Sequence, residues 1–303
     1  KKIPDAINEL NATKPLIVTD EGLVKAGIAN KIKSLIEKSG LKADIYDKVV
    51  IEPTIESMNA IASFIRERDY DVVIGLGGGS SMDTAKIAAL MKNNPGNVED
   101  YLKKPFEKER IPLILVPTTA GTGAEMTGDI VFFIGNKKRW ISHPYALADI
   151  SIVDPILTIT LPPRATASTG LDALCHAIEA LMTIYSNPIT DTLAYKSIEL
   201  IMHSLTRAYY QGKDIEARYN MMLAATLAGL VNQNAPATLP HSAGYTLAAR
   251  YKLPHGISCA IPLPYCMRYN LSMCIEKFAF IGKIMGIEDI CLLYTSPSPR
   301  DRG

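Results

Sequence analysis

Short apolar runs alternate with amphipathic segments along the first half of the chain. Four of these runs are mostly apolar and have the length of buried strands. They lie at residues 15–19, 43–46, 71–76 and 111–116. Apolar residues recur every three or four positions in the segments between them, as on one face of a helix, at residues 21–39, 55–68 and 81–92. This alternation predicts crossover helices on a parallel sheet.

The second half of the chain has a different pattern, because the strand signal ends near Pro163. Long helical patterns follow at residues 165–182, 191–210 and 215–231. Pro162 and Pro163 mark a plausible boundary, since proline ends strands and is tolerated in the first turn of a helix. We therefore predict an α/β plus all-α protein, in which a Rossmann-like parallel-sheet domain (1–162) precedes an all-helical domain (163–291).

The last residues of the chain, 292–303, follow neither pattern. Their Ser-Pro-Ser-Pro-Arg-Asp-Arg-Gly run is similar to a translated sequencing adapter. We expect these residues to be a non-native tail, and the helical domain to be incomplete at its C-terminal end.

Composition and charge argue against nucleic acid and a membrane as partners. The formal net charge is +1, from 32 basic and 31 acidic residues, with no basic block that would bind nucleic acid. The longest apolar runs, such as 221–231, are shorter than the roughly 20 residues that a membrane-spanning helix needs. The five cysteines are scattered and include no Cys-x-x-Cys pair, which favours a reducing cytoplasm.

Two loops after predicted strands could bind a dinucleotide. The three glycines at 77–79 lie between a strand and a helix, where bare backbone and a helix N-terminus suit a pyrophosphate. A simple strand-to-helix turn is the alternative, because G-x-G-x-x-G is incomplete. The threonine-rich loop 116–123 also follows a strand, at the edge where open parallel sheets bind ligands. Such a loop taken alone is more often only a turn that satisfies its own backbone.

Asp20 ends the first predicted strand. A carboxylate in that place can accept hydrogen bonds from an adenosine ribose, which would favour NAD over NADP because a 2′-phosphate would meet like charge. It could equally cap the helix that begins near Glu21. The sequence leaves both interpretations open.

Four residues could hold a metal ion. Asp172 and His176 are four apart, so on a helix they share one face. Taken alone, Thr169 with Asp172 could form a capping box and His176 could be a core histidine. His241 and His255 add two more imidazoles, and three imidazoles with one carboxylate suit Fe²⁺ or Zn²⁺ and leave a position open for substrate. The sequence does not choose between these two ions.

These segments together resemble the iron-containing (group III) alcohol dehydrogenase family, whose fold is shared with glycerol dehydrogenase and dehydroquinate synthase. The resemblance runs from about residue 15 to residue 287. The motifs that carry it are Val18-Thr-Asp20, Gly77-Gly-Gly-Ser-Ser-Met-Asp83, Pro117-Thr-Thr-Ala-Gly-Thr122, Thr169-Gly-Leu-Asp-Ala-Leu-Cys-His176 and Leu253-Pro-His-Gly256.

The resemblance implies a metal-dependent alcohol dehydrogenase or aldehyde reductase that transfers a hydride between NAD(H) and a small alcohol or aldehyde, and that forms a homodimer. The metal ligands that it implies are Asp172, His176, His241 and His255. The cofactor contacts that it implies are Asp20, Gly78, Gly79, Ser80, Asp83, Thr118, Thr119 and Thr122. Lys138 matches a lysine near the cofactor's ribose or phosphate, across a shortened hairpin; an exposed, solvated lysine is the alternative.

One residue departs from the family pattern. Many members have a second histidine four residues after the ligand that matches His241, and Tyr245 occupies that place here. We expect Tyr245 to shape the substrate pocket.

Two rival functions remain at this stage. A relative of the same fold, similar to dehydroquinate synthase or glycerol dehydrogenase, would keep the cofactor and the metal. A phosphorylated substrate should gather several Lys and Arg, yet only Arg250 and Lys252 lie near the ligand motifs. The other rival is non-enzymatic: an inactive fragment, because family members extend further at both ends, or a protein that binds the dinucleotide only as a structural element. The intact ligand residues argue against it.

Overall fold

A five-stranded parallel sheet forms the first half of the protein in a computed structural model, which describes residues 2–287. The strand order is β2-β1-β3-β4-β7, and all neighbouring strands run parallel. These strands are β1 (Pro15–Val18), β2 (Asp44–Tyr46), β3 (Val72–Gly77), β4 (Leu113–Pro117) and β7 (Ile150–Ser151). The chain leaves β1 towards one edge to form β2 and then crosses to the other side, so the order reverses between β1 and β3. Ligands bind at such a reversal, beyond the carboxyl ends of the strands.

Helices cover both faces of this sheet. They are α1 (Ile3–Glu9), α2 (Glu21–Lys25), α3 (Ile28–Glu37), α4 (Ile55–Arg66) and α5 (Gly79–Met91). The prediction of one helix over 21–39 was wrong. Gly27, with φ +75°, separates α2 from α3, and a backbone conformation of that kind interrupts a helix.

Alternate residues of the strands pack into two apolar cores, one on each face of the sheet. Leu16, Val73 and Leu115 pack towards α4 and α5, whereas Ile17 and Ile74 pack towards α1 and α3. Side chains of a strand point alternately to its two faces, so a sheet covered on both sides needs continuous apolar runs. This requirement explains why the strands could be read from the sequence.

An antiparallel hairpin follows β4, formed by β5 (Asp129–Ile134) and β6 (Lys137–Ser142). A fully buried ammonium fixes it to α5: Lys86 Nζ donates to the Asp129 carbonyl oxygen at 2.7 Å. The Asp83 carboxylate accepts from Val131 N at 3.0 Å and lies 3.4 Å from Lys86 Nζ. These contacts hold the hairpin beside the glycine turn at the start of α5.

The second half of the described chain is helical, and within residues 2–287 no strand follows Ser151. This arrangement confirms the predicted fold class. The helices are α6 (Pro163–Met182), α7 (Pro188–Tyr210), α8 (Ile215–Asn234), α9 (Leu239–Tyr251), α10 (His255–Ala260), α11 (Leu263–Tyr269) and α12 (Ile275–Ile284). Among the described residues, no helix is both long and apolar enough to cross a membrane.

The loop after β4 joins the sheet to the helices. A Cβ on Gly123, which has φ +60°, would lie 2.5 Å from Gly229 Cα in α8. A Cβ on Gly121 would lie 2.6 Å from Thr169 Cβ in α6. Only glycine permits such approaches, and they bring the threonine-rich loop against the helix that carries Asp172.

Candidate metal centre and cofactor cleft

Helix α6 presents Asp172 and His176 on one buried face. Both residues are buried, with only 3% of the surface of Asp172 and 7% of the surface of His176 exposed. Thr169 lies inside this helix, and its hydroxyl donates to the Ala165 carbonyl oxygen at 3.0 Å. The capping-box alternative for Thr169 and Asp172 is therefore wrong.

His241 and His255 come from two further helices that pack against this face. His241 lies in the first turn of α9, and His255 is the first residue of α10. Gly256 permits the approach of α10, because a Cβ there would lie 1.8 Å from the Ser168 carbonyl oxygen. Gly244 does the same between α9 and α10, where a Cβ would lie 2.8 Å from Cys259 Sγ.

Donor atoms of Asp172, His241 and His255 converge on one point. Asp172 Oδ1 lies 3.5 Å from His241 Nε2 and 3.5 Å from His255 Nε2. His176 stacks on His241 with ring centroids 4.4 Å apart. Donors bound to one tetrahedral ion at about 2.0–2.1 Å would be spaced by roughly 3.4 Å, which these distances match.

Three buried polar atoms of these residues have no hydrogen-bond partner. They are Asp172 Oδ1, His176 Nδ1 and His241 Nε2, all of them buried. An unpaired buried polar atom costs about 1–3 kcal/mol, so Asp172 Oδ1 and His241 Nε2, which lie 3.5 Å apart, need a common partner. A divalent cation satisfies a carboxylate and imidazoles together, and the residues present therefore fit the metal.

The protonation states of Asp172, His176 and His255 suit a cation, whereas that of His241 does not. Burial lowers the pKa of His255 to about 3 and lowers that of His176, so both imidazoles are neutral at pH 7. Burial alone would raise the pKa of Asp172, but the three histidines hold it well below its usual range. Burial also opposes protonation of His241, yet Asp172, Cys259 and Glu179 raise its pKa well above its ordinary value.

Glu179 is a site residue that the sequence reasoning missed. It is fully buried on α6, and one carboxylate oxygen contacts His241 Nδ1. The other oxygen accepts from Thr238 N at 2.6 Å, just before α9 begins. Metal-binding histidines commonly donate their second ring N–H to a carboxylate, which fixes the ring and its tautomer. The signal was present in the sequence, because Glu179 follows Asp172 by seven residues and so shares its helical face.

Cys259 was missed as well. It is fully buried, and its Sγ lies 3.7 Å from Nδ1 and 3.9 Å from Nε2 of His255. One ligand atom from each of Asp172, His241, His255 and Cys259 lies within 4.8 Å of the others, and His176 is not a member of that group. The spacing of four between His255 and Cys259 on α10 is the signal that could have found it.

The glycine turn and the threonine-rich loop meet at the sheet edge. Gly78 precedes α5 and Gly79 begins it, and no side chain caps this helix. A Cβ on Gly78 would lie 3.4 Å from Thr119 Oγ1, and a Cβ on Gly79 would lie 3.0 Å from Thr122 Cγ2. The Thr119 hydroxyl is buried and has no hydrogen-bond partner. An uncapped helix N-terminus beside a free hydroxyl is suited to a phosphate group.

The remaining predicted cofactor residues lie near this edge but make internal contacts. Asp20 caps α2, accepting from Leu23 N at 3.1 Å through one carboxylate oxygen. Ser80 Oγ accepts from Glu52 N at 3.3 Å, and Thr118 is buried with its N–H donating to the Gly77 carbonyl oxygen. Asp83 is bonded to Lys86 and to the hairpin, so its carboxylate acts within the protein.

Lys138 and Tyr245 form one wall beside the metal residues. Lys138 Nζ lies 4.0 Å from the ring centroid of Tyr245, and that ring stacks on His255 with centroids 5.5 Å apart. Lys138 is half-buried rather than a solvated surface lysine, and burial lowers its pKa. Burial raises the pKa of Tyr245 to about 12, which keeps its hydroxyl protonated at neutral pH.

The protein joins a parallel sheet of the nucleotide-binding type to a helical half that contains a buried carboxylate–imidazole cluster. This combination is typical of metal-using, dinucleotide-dependent oxidoreductases. The family model described as iron-containing alcohol dehydrogenase matches residues 1–155, and the model of the Fe-containing alcohol dehydrogenase family, C-terminal, matches residues 166–296. The chain belongs to the iron-containing alcohol dehydrogenase family.

Individual relatives agree with this assignment. Long-chain-alcohol dehydrogenase 1 of Geobacillus thermodenitrificans is 40% identical over 284 residues, covering 92% of this chain and 72% of that protein. The structure of 1,3-propanediol oxidoreductase superposes with a TM-score of 0.91 at 34% identity, covering 98% of this chain and 77% of that one. Sulfoacetaldehyde reductase from Bifidobacterium kashiwanohense, solved in complex with NAD⁺, has a TM-score of 0.88 at 29% identity, covering 97% and 81%.

These findings confirm the predicted enzyme class. The protein is an oxidoreductase of the alcohol dehydrogenase type, acting on CH–OH groups or on the corresponding aldehydes.

Proposed function

We propose that this chain reduces small aldehydes, and oxidises the corresponding alcohols, with NAD(H) and one divalent metal held by Asp172, His176, His241 and His255. The convergence of unpaired buried donor atoms on one point is the observation that carries the proposal. His255 keeps 30% of its side chain exposed, so the cluster opens to solvent on that side, where a substrate can enter.

The cofactor proposal rests on the loops at the sheet edge. We assign the pyrophosphate to the start of α5, with Gly78, Gly79 and Ser80, beside the threonine-rich loop residues Thr118, Thr119 and Thr122. Asp83 holds the hairpin beside this turn, because its carboxylate accepts a hydrogen bond from Val131 N. NAD is favoured over NADP because Asp20, at the end of β1, would repel a 2′-phosphate. We assign Lys138 to the nicotinamide end of the cofactor, since it lies beside Tyr245 and His255.

The protein side chains at this site mainly position the groups that react. A bound divalent metal supplies Lewis acidity that polarises the substrate carbonyl, and the nicotinamide supplies or accepts the hydride. Asp172 and the histidines would hold that ion, and Glu179 keeps His241 in the tautomer that leaves Nε2 free. Tyr245 lines the pocket, where its protonated hydroxyl can donate a hydrogen bond to the substrate.

The enzyme assay that tests this proposal follows NADH and NADPH oxidation with a panel of short aldehydes, before and after chelation. We expect NADH oxidation that chelation abolishes and that Fe²⁺ or Zn²⁺ restores. His255→Ala should lose both bound metal and turnover, whereas His203→Ala, a histidine outside the cluster, should keep both. Metal-independent turnover in the chelated protein would overturn the proposal.

Four further proposals concern the molecule as a whole. We retain residues 1–162 as the dinucleotide-binding domain and 163–291 as the metal-binding domain, supported by the change from sheet to helices. We propose a cytoplasmic protein, because the described cysteines are free thiols.

We propose a homodimer, supported by exposed apolar side chains such as Ile184 and Ile189, and light scattering tests it. The proposed non-native tail, 292–303, lies outside the described residues.

A further inference from the structure

A buried charge pair lies behind the glycine turn and takes no part in the proposed chemistry. Lys86 is fully buried on α5, and Asp83, one turn earlier, is 7% exposed, with Oδ1 at 3.4 Å from Lys86 Nζ. Burial lowers the pKa of Lys86, but Asp83, Asp129 and Glu125 favour its ammonium form. A buried ion pair is often no more stabilising than apolar residues of the same size, so this pair needs a reason other than stability.

We propose that Lys86 is a positioning residue, which holds the hairpin β5–β6 so that the Lys138 ammonium reaches the nicotinamide end of the cofactor. The inference rests on the proposed function, because it needs a dinucleotide in the cleft and Lys138 beside it. Lys86 is fully buried, so it acts on the cofactor only through the hairpin.

The backbone of β5 is attached to the rest of the protein at three alternate residues. The Asp129 carbonyl oxygen accepts from Lys86 Nζ at 2.7 Å. Val131 N donates to Asp83 Oδ2 at 3.0 Å. Phe133 N donates to a carbonyl oxygen of the loop before α4 at 2.8 Å. Backbone polar groups of alternate residues point to the same side of a strand, so these bonds hold the edge of β5 that faces away from β6.

Strand β6 carries this anchoring to Lys138. It pairs with β5 along its whole length, and Lys138 lies opposite Phe133, the last of the three attached residues. Lys138 Nζ lies 4.0 Å from the ring centroid of Tyr245 on α9. A lysine side chain is long and flexible, so its ammonium is placed reliably only where its backbone is held.

An ammonium suits this task better than an apolar side chain does. Lys86 Nζ contacts three acceptors: the Asp129 carbonyl, the Asp83 carboxylate and the Thr127 hydroxyl, the last at 3.4 Å. Hydrogen bonds prefer a narrow range of distances and angles, whereas apolar burial is non-directional and permits sliding. Lys86 therefore fixes where the hairpin lies along α5.

Direct binding of NADH to the full chain tests the proposal. Trp140, the single tryptophan of the chain, lies on β6 two residues after Lys138, so quenching of its fluorescence by NADH reports the Kd. Lys86→Met alone would leave the Asp83 carboxylate buried without a counter-charge, so the variant to use is the pair variant, Asp83→Asn with Lys86→Met. We expect the pair variant to bind NADH about 10-fold more weakly than the unmodified protein.

Combination with Lys138→Met decides whether Lys86 acts through Lys138. Lys138→Met should itself weaken NADH binding at least about 10-fold, and adding the pair variant should weaken it little further, because the group that Lys86 positions is already gone. Arg66→Met is the matched control. Its guanidinium donates to three backbone carbonyl oxygens at and beyond the C-terminal end of α5, so its loss should lower the unfolding midpoint and leave the Kd unchanged.

A milder second variant covers the case in which the pair variant does not fold. Thr127→Val removes one acceptor of Lys86 and leaves both charges in place, so it should weaken NADH binding about 2-fold, and only while Lys138 is present.

Unchanged NADH affinity in the folded variant, or effects that multiply with that of Lys138→Met, would overturn the positioning role and leave the proposed dehydrogenase intact. Unchanged affinity in Lys138→Met would overturn this inference together with the assignment of Lys138 to the cofactor. Failure of the unmodified protein to bind NADH would overturn the proposed function as well.

Discussion

At the scale of single residues, the contact between Glu179 and His241 organises the proposed metal centre. A carboxylate beside Nδ1 orients the ring and leaves Nε2 directed at Asp172, 3.5 Å away. Without this contact the imidazole could turn or change tautomer, so the donor would be lost part of the time.

Glu179→Gln should therefore weaken metal binding by about 10–100-fold, because the amide cannot replace the anionic acceptor for His241 Nδ1. Chelator competition measures the affinity directly. Glu199→Gln, an exposed carboxylate on α7, is the matched control and should bind metal as the unmodified protein does. Unchanged affinity in Glu179→Gln would show that the contact does not position the ligand.

The Tyr245 hydroxyl provides a second test at this scale. Loss of one hydrogen bond to the substrate costs about 0.5–1.5 kcal/mol, so Tyr245→Phe should lower kcat/KM roughly 2- to 10-fold for aldehydes that reach it. Tyr251→Phe, an exposed tyrosine on the same helix, should have no effect. If no aldehyde of the panel were affected by Tyr245→Phe, the tyrosine would not contact the substrate.

The sequence grouped Asp172 and His176 by their helical spacing and added His241 and His255 as two further imidazoles, and the family resemblance implied all four as metal ligands. It did not predict Glu179 or Cys259, although both lie at helical spacing from a ligand. Buried Glu and Cys are common in other roles, and only the tertiary approach of α9 and α10 gives them partners. Gly244 and Gly256 permit that approach, and no local pattern reveals what a glycine will face.

At the scale of elements, the glycine turn before α5 combines two different requirements. Gly77 has φ +151°, and a Cβ there would lie 2.3 Å from Ser81 Oγ. Gly78 has an ordinary φ of −83°, and a Cβ there would make only van der Waals contact with Thr119. Gly77 is needed for the backbone conformation of the turn, and we expect Gly78 to leave room for the cofactor.

Gly77→Ala should therefore destabilise the protein by more than about 1 kcal/mol, as alanine does at a positive φ. Gly78→Ala should leave the unfolding midpoint nearly unchanged but raise the KM for NADH, because the added methyl group occupies the space of the pyrophosphate. Thermal unfolding and steady-state kinetics measure the two effects. A normal KM in Gly78→Ala would remove this turn from the cofactor site.

Elements with a single strong period were predicted well. The four buried strands and helices α4 to α8 appear close to the predicted positions, because continuous apolar runs and one-sided apolar stripes determine them. The division of 21–39 at Gly27 was missed, since the apolar spacing continues across the break. The helices after α8 were not predicted individually. In α9 and α10, small and polar residues pack closely around the proposed metal ligands and form no simple stripe.

At the scale of the whole molecule, the proposed metal ligands come from three different helices. Asp172 and His176 belong to α6, His241 to α9 and His255 to α10. An ion bound by all three helices stabilises only the folded state, since the donors are far apart in the unfolded chain. Free metal at about 100 times its Kd should then add about 2.7 kcal/mol to the free energy of unfolding.

The most direct test of the metal centre is therefore thermal unfolding of the chelated protein with and without added Zn²⁺ or Fe²⁺, alongside elemental analysis of the loaded protein. We predict one metal per chain and a clearly raised unfolding midpoint, with both effects absent in His255→Ala. A chelated protein whose midpoint does not respond to either metal, and which retains no metal after loading, would contradict the proposed metal centre.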